Sequence, residues 1–451
     1  MIIIGIIIII YLILGVIALN YPKLLVPILI LLMPLERFNS YIGFTLDPIA
    51  MFFPVIIMSI WINYHNIFKY AKTMNKYLLI GLLAIPIAVL ISDLFSINKF
   101  LSFKSTIYIV LSILLFLICY MYTLYYKNTM TILVTFFITI FLVSFYGVLQ
   151  FLGYLFYKID SLNLHNILHA TTINPSTFIL HIGHFSILRP DSTFNDVNTT
   201  AGFIAIFIPI LLVLYLINRK NLSLKTKKWL LALNLLSIVI FFFFMITFSK
   251  SSLIGIAIAF FLLLLYYYKT YMNKYLLYTL LVYFVIVLVS SIILFPYIYS
   301  SQKYSFDTHI LLLQSSINIF KKFPIFGTGL GTFTYYFGLY IKPFIPFYYN
   351  NIDTPPLFTL WLSEIGIIGF LSYMFFLVVY FDIFWKKLKV IIKNNRNTDF
   401  IIISAFISGL LALLIANLFH SYFDLFFNWI VMGTFLAILE KATKKSILSN
   451  N

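Results

Sequence analysis

Residues 131–155 read TILVTFFITIFLVSFYGVLQFLGYL, an unbroken stretch without one charged side chain. A helix over those positions rises about 38 Å at 1.5 Å per residue, enough to cross a hydrocarbon core of roughly 30 Å. The apolar character is continuous and does not alternate, so the stretch reads as helix and not as a barrel strand. Runs of the same kind recur at 1–20, 46–62, 77–97, 103–126, 200–218, 228–248, 252–268, 275–299, 357–381, 399–420 and 424–440. Segment 24–34 is apolar but short, the length of a half-span or of one arm of a bent hairpin. The sequence therefore predicts an all-α polytopic membrane protein with about 12 (12–13) transmembrane helices.

Composition agrees. The 451 residues are 63% hydrophobic and 10% charged, with a mean hydropathy of +1.04. A soluble domain is about half apolar and about a quarter charged, so a soluble enzyme, a secreted disulfide scaffold and a disordered chain are excluded. Cys119 is the only cysteine and can form no intramolecular disulfide. Residues 1–20 lack a basic n-region and a small-residue cleavage site, so no cleavable signal peptide is expected.

The formal charge of +17 would suggest nucleic acid on a soluble protein. Here it is read as topology, because Lys and Arg collect in the cytoplasmic loops of membrane proteins. Under strict alternation, nineteen of the thirty basic residues fall on one face, within 65–76, 219–228, 385–398 and the tail, and at Lys127, Lys269 and Lys274. That face is expected to be cytoplasmic, with the C-terminus on it. The chain then divides into N-terminal helices (1–155), an outer loop (156–199), central helices (200–299), a large outer loop (300–356) and C-terminal helices with a cytoplasmic tail (357–451). Loops this long inside a compact fold usually carry function. Six of the seven histidines fall on the outer side: His165, His169, His181, His184, His309 and His420.

Four segments carry candidate chemistry. Arg189-Pro190-Asp191-Ser192-Thr193-Phe194-Asn195-Asp196-Val197-Asn198-Thr199-Thr200 sets Arg, Asp and Asn at a helix entrance, suited to an anionic or sugar-bearing head group. Its plain alternative is a helix N-cap at Asn198 or Thr199. Thr247-Phe248-Ser249-Lys250-Ser251-Ser252 is a tight turn between two spans that puts a cation on the outer face, against the positive-inside bias; a snorkelling lysine is the alternative. Pro324-Ile325-Phe326-Gly327-Thr328-Gly329-Leu330-Gly331 offers tight turns and close backbone approach to a ligand. In Trp361-Leu362-Ser363-Glu364-Ile365-Gly366-Ile367-Ile368-Gly369, the carboxylate Glu364 lies in an apolar helix and is read first as structural, with the glycines allowing close helix packing. The histidine pairs 165/169 and 181/184 have spacings that suit metal ligands, but loop-like surroundings without cysteine argue against a metal site.

In order and spacing these segments, followed by Leu418-Phe419-His420-Ser421-Tyr422-Phe423, resemble the O-antigen ligase/polymerase family of membrane glycosyltransferases over about 185–425. The resemblance implies a GT-C-like helical fold in the prokaryotic cytoplasmic (inner) membrane, with the site on its outer face. It implies a glycan donor carried on undecaprenyl or a related polyprenyl diphosphate. The acceptor it implies is a growing glycan, a lipid A core or a protein hydroxyl. No nucleotide sugar, cofactor or metal ion is implied, and no nucleic acid.

Breaking the anomeric C–O bond leaves a polyprenyl diphosphate, whose growing negative charge calls for preorganised cations. Arg189, Lys250 and His309 are the candidates to hold the diphosphate, with Asn198 beside them. The chain departs from the family in three places. Lys250 stands where an arginine is usual, and His309 where a further arginine is frequent. Pro355-Pro356 occupies the place of a His-Asn pair whose histidine is the proposed base. Asp353, His309 and His420 are the possible replacements: histidine has the better-matched pKa, Asp353 the better position. The absent histidine tilts the reading slightly towards polymerase over ligase. The rival class is a flippase or transporter of lipid-linked sugars or a small anion. Such a protein should show two halves with matching broken spans, whereas the polar motifs here crowd the outer loops of the C-terminal half.

Overall fold

The computed structural model describes residues 2–35, 40–41, 45–46, 48–157, 179–182, 185–194, 196–210, 236–268, 307, 309–340, 355–393, 397–418 and 425–448. The described residues are mostly helical, as an all-α membrane protein requires. The N-terminal helices are α1 (Ile2–Asn20), α2 (Leu25–Leu32), α3 (Phe53–Ala71), α4 (Lys76–Phe95), α5 (Lys99–Tyr126) and α6 (Thr129–Tyr157). Two short antiparallel pairs interrupt the helices, β1–β2 (Ser40–Tyr41, Thr45–Leu46) and β3–β4 (Ile179–Ile182, Phe185–Leu188). After the hairpin come α7 (Val197–Ala205), α8 (236–246), α9 (Lys250–Tyr268), α10 (309–322) and α11 (Phe333–Tyr340). The chain closes with α12 (Leu357–Lys393), α13 (Asn397–Asn417) and α14 (Phe426–Leu448).

Among the described residues, Lys76–Phe95, Lys99–Tyr126, Thr129–Phe156 and Leu357–Val390 are long and apolar enough to cross a membrane. The short segment 24–34 forms α2 between two 3-10 turns, with Leu25 to Ile30 and Leu32 to Pro34 buried and Leu31 exposed. Predicted span 275–299 lies outside the described residues, as do the basic segments 219–228 and 269–274.

Helix α4 shows how the sequence chooses its faces. Ile80, Leu83, Ile87, Leu90 and Leu94 recur every three or four residues and are exposed, while Leu78, Leu82, Ile85 and Val89 on the opposite face are buried. In a membrane the exposed row meets acyl chains. The buried row packs on α12, and α5 packs along α14. Two expected loops are helical instead: α3 runs on to Ala71, and α12 on to Lys393. Hydropathy marks the apolar part of a helix, whereas a lysine-bearing extension costs little once the helix has nucleated.

Helix α6 separates the two ends of the molecule. At its start, the Lys441 ammonium donates to the Lys127 carbonyl at 2.7 Å and to Thr129 Oγ1 at 2.9 Å. Nearby, Asn128 donates to the Lys23 carbonyl at 2.6 Å, and Lys387 pairs with Glu440 at 3.4 Å. At the other end of α6, Tyr154 donates to Ser186 Oγ at 3.1 Å and Gln150 to Asp191 Oδ1 at 3.1 Å. Basic side chains thus gather at one end, and the segment around Arg189 lies at the other.

The glycine segment is also at the second end. It plugs a break in α12, where Gly366 has φ 64° and ψ −168°, a backbone state open essentially to glycine alone. The break frees helix groups that must find partners, and 323–332 supplies them. Ile367 N–H donates to the Pro324 carbonyl at 2.9 Å and Ile368 N–H to Ile325 at 3.4 Å. In return, Thr328 N–H donates to the Ser363 carbonyl at 3.1 Å and Gly329 N–H to Glu364 at 2.7 Å. Close backbone approach is therefore what the glycines provide, but to the chain itself. A Cβ on Gly366 would lie 2.3 Å from the Ile325 carbonyl oxygen.

Gly366→Ala should accordingly lower stability by at least about 2 kcal/mol, combining backbone strain with a collision. The measurement is thermal unfolding in detergent, with the loss of monodisperse protein followed by size exclusion; an unchanged melting temperature would remove the plug from the account of the fold.

Candidate functional site

The site is built at the far end of α6 from three pieces: the segment after β4, the entrance of α7, and the turn from α8 into α9. Asp191 and Ser192 are buried against α6. Ser192 N–H donates to Gln150 Oε1 at 2.8 Å, and Ser192 Oγ to the Val143 carbonyl at 2.7 Å. Thr200 Oγ1 donates to the Asp191 carbonyl at 2.5 Å. The segment is therefore pinned on both sides, which fixes where Arg189 leaves the backbone.

Asp196, and not Asn198 or Thr199, caps α7. Its carboxylate accepts from Asn198 N–H at 3.2 Å and from Thr199 N–H at 2.8 Å. An aspartate in that place satisfies two of the helix's orphan donors and complements its dipole. The Asn198 side chain is left available for the site: its Oδ1 accepts from Arg189 Nη2 at 3.5 Å and from Ser249 Oγ at 3.1 Å. Arg189 Nε donates to the Thr247 carbonyl at 2.8 Å, one of the carbonyls that the end of α8 leaves without a helical partner. Phe248, with φ 49°, turns the chain sharply there, and α9 starts at Lys250.

This arrangement brings Lys250 close to Arg189. Lys250 is at the surface of the site, before the apolar run 252–268 begins. Loss of hydration and, second, the Arg189 charge hold its ammonium below the ordinary lysine pKa of 10.5. Among the described residues no carboxylate forms an ion pair with Lys250. Ser249, Ser251 and Ser252 are buried around the same turn, and the first N–H groups of α9 open towards it. Two like charges, hydroxyls and a helix N-terminus favour an anion, and phosphate oxygens fit the set.

A family model described as O-antigen ligase matches residues 235–374. Over this stretch the chain is similar to the O-antigen ligase family. The O-antigen ligase match contains the Lys250 turn, the glycine plug and the Glu364 helix, and Arg189 packs onto it from outside. Among curated proteins no match to the chain is found.

The other residues singled out from the sequence fall in different places. Glu364 is buried, and its Oε1 accepts the Phe333 N–H at 2.8 Å, so it caps α11 and sits in the plug. His309 is half-buried at the start of α10, a helix that packs through Leu312 and Ile319 on Phe333, Tyr336 and Leu360. Asp353, His420, His165, His169 and His184 lie outside the described residues. His181 is opposite Ser186 in the β3–β4 register. Gln150 is not among the candidates from the sequence, and Asp196 and Ser249 stand there only as members of their segments. Gln150 had a signal, the one amide in the uncharged run 131–155; Asp196 and Ser249 are separable from ordinary loop polarity only by their contacts.

Two outcomes are expected here. Asp196→Ala should cost about 1 kcal/mol of stability in thermal unfolding, while Asp196→Ser keeps most of it. Anion binding at Lys250 needs the ammonium. Because its pKa lies below 10.5, affinity for a phosphate-bearing anion at this turn should fall, as pH rises, earlier than a free lysine would dictate. Lys250→Arg should abolish that alkaline fall, since guanidinium stays charged; a pH titration of binding reads both.

Proposed function

We propose that the chain transfers or polymerises a glycan from a polyprenyl-diphosphate-linked donor, metal-independently, on the outer face of the prokaryotic cytoplasmic membrane. What supports it most is the convergence of Arg189 and Lys250 at the entrance of α9, next to the stretch that matches the O-antigen ligase family. The full chain on this reading has the 12–13 crossings and the outer loops 156–199 and 300–356 of a GT-C-like fold. Its C-terminus is cytoplasmic, with the gathered Lys127, Lys387 and Lys441 on the same side, as the positive-inside bias requires.

The chemistry is a displacement at the anomeric carbon. The acceptor hydroxyl oxygen attacks that carbon, its proton passes to Asp353 or His309, and the bond to the diphosphate oxygen breaks. The electron pair leaves on the polyprenyl diphosphate. Arg189 and Lys250 stabilise the leaving anion, Arg as a fixed fork and Lys as a point charge. Arg189 is preorganised by Thr247 and Asn198, so little reorganisation is needed as charge develops. The acceptor is a growing glycan, in keeping with the absence of the His-Asn pair at Pro355-Pro356.

The test is release of polyprenyl diphosphate by purified protein supplied with lipid-linked oligosaccharide. Arg189→Ala and Lys250→Ala should each lower turnover about 100-fold or more, with Lys250→Arg largely active. Asp353→Asn and His309→Gln, compared at constant donor binding, should single out the base by a loss of roughly 100- to 10,000-fold. Full turnover in both cation variants would sink the proposal, as would transport of the donor across liposomes without any transfer.

A further inference from the structure

Helix α10 does not span the bundle, yet it exposes a row of apolar side chains beside the polar Gln314 and Asn318. Leu312, Ser315, Ser316 and Ile319 face inward and are buried, whereas Ile310, Leu313 and Ile317 recur along the outside and are 40%, 37% and 40% exposed. In water such a row is a liability. At a bilayer surface it is the acyl-facing side of an interfacial helix.

The turn from α4 to α5 continues this surface. Phe95 stacks on Phe326, ring centroids 4.3 Å apart and planes at 6°, which joins the turn to the segment that follows α10. Phe100 is 82% exposed and heads the exposed row Phe103, Ile107, Val110 and Leu114 down α5. That row, like the one on α4, meets lipid tails. Lys99 and Lys104 are exposed at its top, and Lys321 is exposed at the end of α10. These lysines are at the opposite end of α5 from Lys127, so they do not belong to the basic layer at the other end of the molecule. Among the described residues none of the three is in an ion pair. Apolar side chains at the depth of acyl chains, with ammonium groups immediately above them, match one kind of occupant: a lipid with an anionic phosphate head group.

We propose that α10 and the α4–α5 turn form an interfacial surface that seats anionic phospholipids, their phosphates held by Lys99, Lys104 and Lys321. The surface is separate from the Arg189–Lys250 site. It adjoins the glycine plug, so the lipid would steady the outer end of α12 from the membrane side.

The probe is a bimane label on Ile317→Cys in the full chain, with buried Cys119 left in place, reconstituted into nanodiscs. Brominated phosphatidylglycerol and brominated phosphatidylcholine are compared at equal mole fraction as quenchers. The anionic lipid should be enriched around the label by roughly fivefold, the ratio expected from one lysine–head-group contact. In the triple variant Lys99→Gln, Lys104→Gln, Lys321→Gln that ratio should fall close to one. Quenching by phosphatidylcholine should be unchanged in the variant, showing that α10 still lies at the interface. Equal quenching by the two lipids in the parent would overturn the proposal, and so would a preference that survives the triple variant. Neither result involves turnover, so the outcome is independent of the catalytic reading.

Discussion

The break in α12 at Gly366 is the constraint from which the rest of the outer end follows. A helix at membrane depth cannot leave backbone N–H and C=O groups open, because no water reaches them. The break opens both kinds, and the glycine segment closes them one by one from Pro324 to Gly329. Helix α4 then locks the junction: Ser92 Oγ donates to the Glu364 carbonyl at 2.9 Å, and the Asp93 carboxylate accepts from Ser102 and, at 2.5 Å, from Thr106. Two helices and a loop that are distant in sequence become one unit. Helices α10 and α11 are held to that unit at either end of the segment, which gives the region around His309 a fixed base.

The Arg189 site rests on a second device of the same physical kind. Here the open groups belong to the end of α8, and a charged side chain closes one of them. Arg189 is thus both a structural clamp on Thr247 and one member of a cation pair with Lys250. The two roles reinforce each other. A guanidinium tied by Nε is held in one orientation, and the Lys250 ammonium beside it adds a second positive charge. Buried Gln150, Asp191 and Ser192 serve the clamp, and Asp196 serves α7.

Much of this was legible in the chain. The run 131–155 announces a spanning helix, and the structure gives α6 almost the same limits. Arg189, Asn198 and Lys250 were marked as unusual by their charge and place, and the structure draws them together. Glu364 was read as structural, which its bond to Phe333 supports. The glycines of 324–331 read as room for a backbone, and a ligand and a neighbouring helix ask that same thing of a glycine, so only the structure shows the approach to α12. The N-cap falls at Asp196, two or three residues before Asn198 and Thr199, because all three are good caps and only geometry chooses among them.

The sequence by itself determined the solvent of this protein, the helical class and the end at which basic residues collect. Those properties come from local sums of hydropathy and charge, which need no knowledge of neighbours. Only the tertiary structure decided that the glycine segment mends α12, that Arg189 clamps Thr247 and that α10 turns a row of apolar side chains outward. Each of these depends on which orphan group or exposed row meets which partner, and residues far apart in sequence supply those partners. Hydropathy records how much surface a helix must bury; the packed bundle settles what buries it.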